Sequence, residues 1–284
     1  MARFDLSITP DLPQKAAKTL RVMMQAALQA GEIVREGSQR EQTVTEKGLG
    51  DLVSELDIAC DRTIQDVLRQ AFPDDPILSE ELAPETSVFD GSCWVIDPID
   101  GSSALLFHAG PDLPAVMIAR LERGIAEYSV VYFPLTRELF YAVRGHGAYK
   151  GADRLQCSAS RLAASWIELN QYGDARQESA AFARLRTRLR LPGGARLVTT
   201  SPPHSGSGVR IAEGRKKLAA VVHDNNAAHL KQGPWDVLPV ALIVNEAGGC
   251  VINFAGRPYD AFRAEPFIVA SSASLAKEII AAGR

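Results

Sequence analysis

The apolar positions of residues 15–36, KAAKTLRVMMQAALQAGEIVRE, recur every three or four places, the spacing of a long amphipathic helix. Polar residues then take over in GSQREQTVTEKGLGD, which reads as a loop. Helical spacing returns over 53–72, VSELDIACDRTIQDVLRQAF. The pattern changes at 114–149, where three apolar runs are separated by ERG and PLTRE. They predict an antiparallel meander with strands near 115–121, 127–133 and 138–143. Beyond about residue 158 helices and strands alternate. A basic helix over 177–190 leads to a strand in RLVTTS, a loop in PPHSGSG, a short helix and a strand at 218–222. A helix at 236–247 is stopped by Gly248 and Gly249. A strand in PFIVASS and a last helix follow, and no repeat or low-complexity segment interrupts the order. Helices on a meander, then an αβ half, predict a layered α/β or α+β fold. The change of pattern suggests an N-terminal lobe over 1–158 and a C-terminal α/β lobe over 159–284.

Composition narrows the partners more than the fold. With 284 residues, 46% of them hydrophobic, the chain can bury a large core. A net charge of −3 gives no overall pull toward nucleic acid or an anionic membrane. The local basic runs RLRTRLRL (184–191) and GRKK (214–217) read as solvated faces. No apolar run approaches the roughly 18 residues of a membrane span. The start, MARFDLSITPDLPQ, lacks the apolar core and cleavage site of a signal peptide. Cys60, Cys93, Cys157 and Cys250 are far apart, with no CxxC pair and no flanking histidines, which argues against a zinc site and a disulfide framework. A cytoplasmic chain with reduced cysteines is the expectation.

Familiar nucleophile and nucleotide motifs are missing. The chain has no GxSxG elbow and no GxxxxGK[ST] loop. The GSG at 206–208 fits a flexible turn as well as a phosphate cradle. The five histidines lack metal spacing and read as surface or loop residues, and Trp94, Trp166 and Trp235 read as packing anchors.

The acidic residues are more telling. In WVIDPIDGSSALLF (94–107) an apolar strand runs into Asp97 and Asp100. Like charges held this close repel, and one would take up a proton unless a cation sat between them. On the second helix, at about 100° per residue, Asp57 falls within about 40° of Val53, Ile64, Leu68 and Ala71. A carboxylate in that apolar stripe needs compensation. In PILSEEL (76–82) a second apolar run delivers Glu80 and Glu81. Asp236 opens a helix and by itself reads as an N-cap, with Pro239 in the first turn.

Taken in order, KGLGDLVSELD (47–57), ILSEE (77–81), DPIDGSSAL (97–105) and WDVLPVALIVNEAGG (235–249) resemble the motifs of the inositol monophosphatase family, of the magnesium-dependent, lithium-sensitive phosphatases. YSVVYFPLTRELFYAVRGHGAYKG is similar to a further family segment, and the resemblance spans about residues 17–282. It implies an αβαβα sandwich of the inositol monophosphatase and fructose-1,6-bisphosphatase type. It also implies a phosphomonoesterase acting on a small polyol or sugar phosphate, and a homodimer.

Carried over by position, the resemblance puts Glu80, Asp97 and the carbonyl of Ile99 on one Mg²⁺. Asp97, Asp100 and Asp236 would hold a second. Asp57 and Ser102 would orient the attacking water, with Glu80 beside them in catalysis and room for a third, looser ion. The amides of Gly101 and Ser102 would hold the phosphate, with Asp100 and Asp236 also facing the substrate. An all-oxygen set without Cys or His suits a hard cation. Three departures stand out: Ser102 replaces threonine, Ala104-Leu105 replaces Asn-Phe, and VLPV follows Trp235-Asp236 in place of small residues. These leave two other phosphatase readings open within the fold, a 3′(2′),5′-bisphosphate nucleotidase and a histidinol-phosphate phosphatase. Only Arg210, Lys216 and Lys217 hint at the wall a nucleotide base would need. Outside enzymes, a regulatory binding protein could keep the fold, as a bacterial relative does with transcription machinery.

Overall fold

The computed structural model of the chain describes residues 12–40, 43–48, 51–83, 91–102, 113–171, 178–189, 196–200, 204–214, 218–224, 233–263 and 265–284. Helices α1 (Gln14–Gly37) and α2 (Glu55–Ala71) flank a hairpin of β1 (Val44–Gly48) and β2 (Asp51–Ser54). A seven-stranded sheet follows: β3 (Ile77–Ser79), β4 (Ser92–Asp100), β5 (Ala115–Glu122), β6 (Ile125–Phe133), β7 (Glu138–Val143), β8 (Gly147–Lys150) and β9 (Asp153–Arg154), in that spatial order. All its pairs are antiparallel except β3 with β4. The second half supplies β10 (Trp166–Gln171), α3 (Ala180–Leu189), β11 (Arg196–Thr200), α4 (His204–Ala212), β12 (Leu218–Asp224), α5 (Pro234–Glu246), β13 (Cys250–Asn253), β14 (Phe267–Ala270) and α6 (Ala273–Gly283). Its sheet runs β11-β10-β12-β14-β13, with β10, β11 and β12 mutually parallel.

Strand alternation sorts the layers. On β4, Trp94 and Ile96 join the core with α1 and α2, whereas Cys93 and Val95 face the opposite core with α4 and α5. On β12, Val221 faces that same central core, while Ala220 and Val222 pack with α3 and α6. The result is helices, sheet, helices, sheet, helices: the expected αβαβα stack. α5 lies in the middle and buries Val237, Val240, Leu242, Ile243 and Val244. The central core takes residues from both sides of residue 158.

Several local expectations give way. The polar stretch after α1 holds the β1–β2 hairpin, because the β-branched Val44 and Thr45 favour a strand and pair with Ser54 and Val53. Helix α2 starts at Glu55, because Ser54 caps it and accepts from the Leu56 N–H at 3.2 Å. HSGSG is helix, the first turns of α4, so GSG at 206–208 is neither a free turn nor a cradle. A Cβ on Gly208 would meet Val240 Cγ1 at 2.1 Å, so that glycine lets α4 close on α5. Pro202 and Pro203 lie outside the described residues. Pro239 sits in the interior of α5, since the helix already begins at Pro234. Strands β8, β9, β10 and β13 were not anticipated, being short or mixed in polarity. The basic face of α3 is not simply solvated: Arg184 Nε donates to the Gly283 carbonyl at 2.9 Å, and Arg186 pairs with Glu178.

His223 also departs from its expectation. It is a buried β12 residue, stacked on Phe267 with ring centroids 4.4 Å apart. Burial lowers its pKa to about 3, against the 6.5 of an exposed imidazole. A depressed folded pKa means stability that is full above pH 6.5 and is lost as pH falls toward 3. Denaturant unfolding of metal-free protein at pH 7 and pH 5 should therefore show a smaller loss for His223→Gln than for the native chain. Equal losses would show that His223 takes no part.

Candidate active site

Strand β4 ends in a β-bulge that aims two carboxylates the same way. Asp97 stands opposite Met117, and Asp100 stands opposite Ala115. Three steps along β4 thus match two along β5, leaving one extra residue on β4. In a regular strand, residues three apart point to opposite faces. Here the bulge turns Ile99 into the α1/α2 core and Asp100 toward the central layer, on the side of Asp97. Pro98 suits the bulge because it has no N–H for the ladder. Gly101 then takes φ 85°, a left-handed turn in which a side chain would be strained.

Asp236 reaches the same place from α5. It is the third residue of the helix, after Gly233 at the cap and Pro234 in the first turn, so it is not the N-cap. Its Oδ2 accepts from the Gly233 N–H at 2.5 Å. One carboxylate oxygen from each of Asp97, Asp100 and Asp236 lies within 4.8 Å of the others. Behind Asp236 is a small cavity of about 10 Å³, walled by Gly208, His223, Val240 and Phe267.

Asp97 shows what the cluster lacks. Its side chain is buried, and among the described residues neither carboxylate oxygen has a hydrogen-bond partner. Burial raises its pKa well above the usual carboxylate range, and the charges of Glu80, Asp100, Asp236 and Asp57 push it in the same direction. A carboxylate left this way is costly unless a cation joins it. The acidic cluster therefore fits a bound metal, and its all-oxygen donors suit a hard one.

The other expected site residues lie around this trio. Glu80 follows β3, and its N–H donates to the Ile96 carbonyl at 3.1 Å, beside Asp97. Asp57 is buried on α2 as expected, but as the third residue of a capping box. Its Oδ2 accepts from the Ser54 N–H at 2.7 Å and the Ser54 hydroxyl at 2.6 Å. Gly101 and Ser102 continue from β4 and are half-buried. Ala104 and Leu105 lie outside the described residues, as do Lys216 and Lys217. Arg210 is already engaged. It bonds Glu138 at 2.6 Å and Glu213 at 3.0 Å, and lies over the Phe133 and Phe140 rings. Its guanidinium is the chief cause holding the Glu138 carboxyl down to about 2.

One participant was missed in the sequence. Ser205, fully buried in the first turn of α4, donates to Asp100 Oδ2 from its N–H at 2.8 Å and also from its hydroxyl. A serine entering a helix after two prolines was the available sign, obscured by the flanking glycine. Ser205→Ala should lower stability by about 1–3 kcal/mol, because it strips a buried carboxylate of one donor. Urea unfolding measures it, and an unchanged midpoint would mean the contact is weak.

Comparison with known proteins gives the chain a family. The sequence model of the inositol monophosphatase family matches residues 15–284. The chain belongs to that family. Inositol monophosphatase 2 of Solanum lycopersicum is 30% identical over 84% of this chain and 88% of its own. The Nus factor SuhB of Pasteurella multocida is 29% identical over 92% and 94%. Among solved structures, an IMPase of Thermotoga maritima superposes with a TM-score of 0.77 at 25% identity, covering 94% of this chain and 96% of that one. The family's layered fold is the one described above. Among the described residues, no helix is long and apolar enough to cross a membrane.

Proposed function

We propose that this family member is a Mg²⁺-dependent phosphomonoesterase hydrolysing a small polyol or sugar phosphate. The observation that carries the reading is Asp97, buried without a donor and surrounded by four other acids. Glu80, Asp97 and the Ile99 carbonyl would hold one ion; Asp97, Asp100 and Asp236 would hold a second; a third would sit loosely near Asp57. Bound Mg²⁺ supplies neutralising charge for the phosphoryl oxygens and acidifies water. The chain's own groups do the positioning on which phosphoryl transfer depends. Asp57 and Ser102 orient the attacking water, and the Gly101 and Ser102 amides receive the phosphate. The left-handed Gly101 lets the backbone come close to that anion.

The test is a phosphatase screen over inositol phosphates, sugar phosphates, histidinol phosphate and 3′(2′),5′-bisphosphate nucleotides, with and without Mg²⁺. Turnover of a polyol or sugar phosphate that needs Mg²⁺ is expected. No turnover of any compound would overturn the reading. The engagement of Arg210 by Glu138 and Glu213 disfavours a nucleotide. The relative named Nus factor SuhB keeps a second reading in play, a regulatory binding protein. A folded chain that binds Mg²⁺ yet turns over nothing in the screen would favour it. The same reading of the family makes the chain a cytoplasmic homodimer, and sedimentation showing only monomer at micromolar concentration would refute the dimer.

A further inference from the structure

We propose that Asp61 is a positioning residue for Glu80, fixing the turn that presents this carboxylate to the metal site. The inference rests on the metal reading above. Asp61 lies on α2 one turn beyond Asp57 and is fully buried. Its Oδ1 accepts from Gln65 Nε2 at 2.8 Å. Its Oδ2 accepts from the Ser79 hydroxyl and from the Leu82 N–H, the latter at 2.9 Å. Ser79 and Leu82 bracket Glu80 and Glu81, so a single oxygen grips both ends of the turn. The turn is closed on itself by the Ser79 N–H donating to the Ala83 carbonyl at 2.9 Å, and joined to β4 by Glu80 N–H to Ile96.

Each partner of Asp61 is a hydrogen-bond donor, and none is a lysine or arginine. Among the described residues it is not half of an ion pair. Its effect is to hold a short turn on a rigid helix, and the turn places Glu80 within electrostatic reach of Asp97. Groups behind a metal ligand that fix its orientation matter to affinity by about 10- to 100-fold.

The test titrates Mg²⁺ into the full chain by calorimetry, alongside the Mg²⁺ dependence of kcat. Asp61→Ala should raise the Mg²⁺ half-saturation by about 10-fold or more while kcat at saturating Mg²⁺ changes far less. Asp61→Asn should stay close to native, because its one oxygen can accept from both Ser79 and Leu82 once the Gln65 amide turns over. Leu68→Ala, on the same helix, removes packing without touching the turn and should keep the native Mg²⁺ affinity. Native affinity in Asp61→Ala overturns the proposal. So does Asp61→Asn as weak as Asp61→Ala, or Leu68→Ala weakened equally. If Asp61→Ala does not fold, Ser79→Ala removes one of the two donors and should weaken Mg²⁺ binding several-fold; unchanged binding overturns the proposal. A native chain that takes up no Mg²⁺ refutes the metal reading itself, a result distinct from a native chain that binds while Asp61→Ala binds equally well.

Discussion

Asp97→Asn should abolish turnover and raise the melting temperature of the metal-free protein. Both effects have one cause. Asp97 is buried without a donor, and its pKa is raised by burial and by four neighbouring acids. In the unfolded chain the same group ionises near 3.8. A raised folded pKa means that the metal-free protein loses stability as pH climbs above that value. The asparagine removes this penalty, and a gain of about 1 kcal/mol would move the melting temperature by about 2 °C in a chain of this size. It also removes the charge shared by both proposed ions, so the Mg²⁺-induced rise in melting temperature should disappear with activity. Scanning calorimetry with and without Mg²⁺, together with a phosphatase assay, reads both effects. Near-native turnover in the variant would defeat the two-ion reading.

The second large effect concerns Asp57 and Ser102. Asp57→Asn and Ser102→Ala should each lower kcat by about 10²-fold or more, the scale of a lost acid–base contribution. The double variant should be little worse than either, because residues that act as a unit are not additive. The capping box adds a control. Asp57 receives the Ser54 N–H and hydroxyl, so part of any change at Asp57 is lost helix stability. Ser54→Ala should cost about 1 kcal/mol through the cap while retaining most of kcat. Losses that multiply in the double variant would make Asp57 a ligand for a third ion.

Much of the candidate site is legible because it sits where periodicity and chemistry conflict. Asp57 interrupts an apolar helix stripe, and Asp97 ends an apolar strand; neither is explained by packing alone. The bulge was not legible. Nothing in Asp-Pro-Ile-Asp says that the strand gains a residue there, since that depends on pairing with Ala115 and Met117. The meander was readable from its apolar runs, though the short β8 and the edge strand β9 were not. HSGSG reads as loop because glycine and serine favour turns locally, whereas tertiary contacts make it helix: Ser205 meets Asp100, Ser207 meets Glu168, and Gly208 meets Val240. Asp61 carries no sequence signal of its role, because two of its three partners are a side-chain hydroxyl and a backbone N–H eighteen and twenty-one residues away.

The seven-stranded sheet is complete at Arg154, whereas the helix that covers its inner face starts only at Pro234. During synthesis, then, every strand of that sheet is made before α5 exists to cover Val95, Met117, Val131 and Phe140. The second half is what seals it, so the nascent chain passes through a stage with one bare apolar face. Such a stage is prone to aggregation and to capture by chaperones. Ribosome-bound chains that stop before α5 would be the ones most dependent on that help.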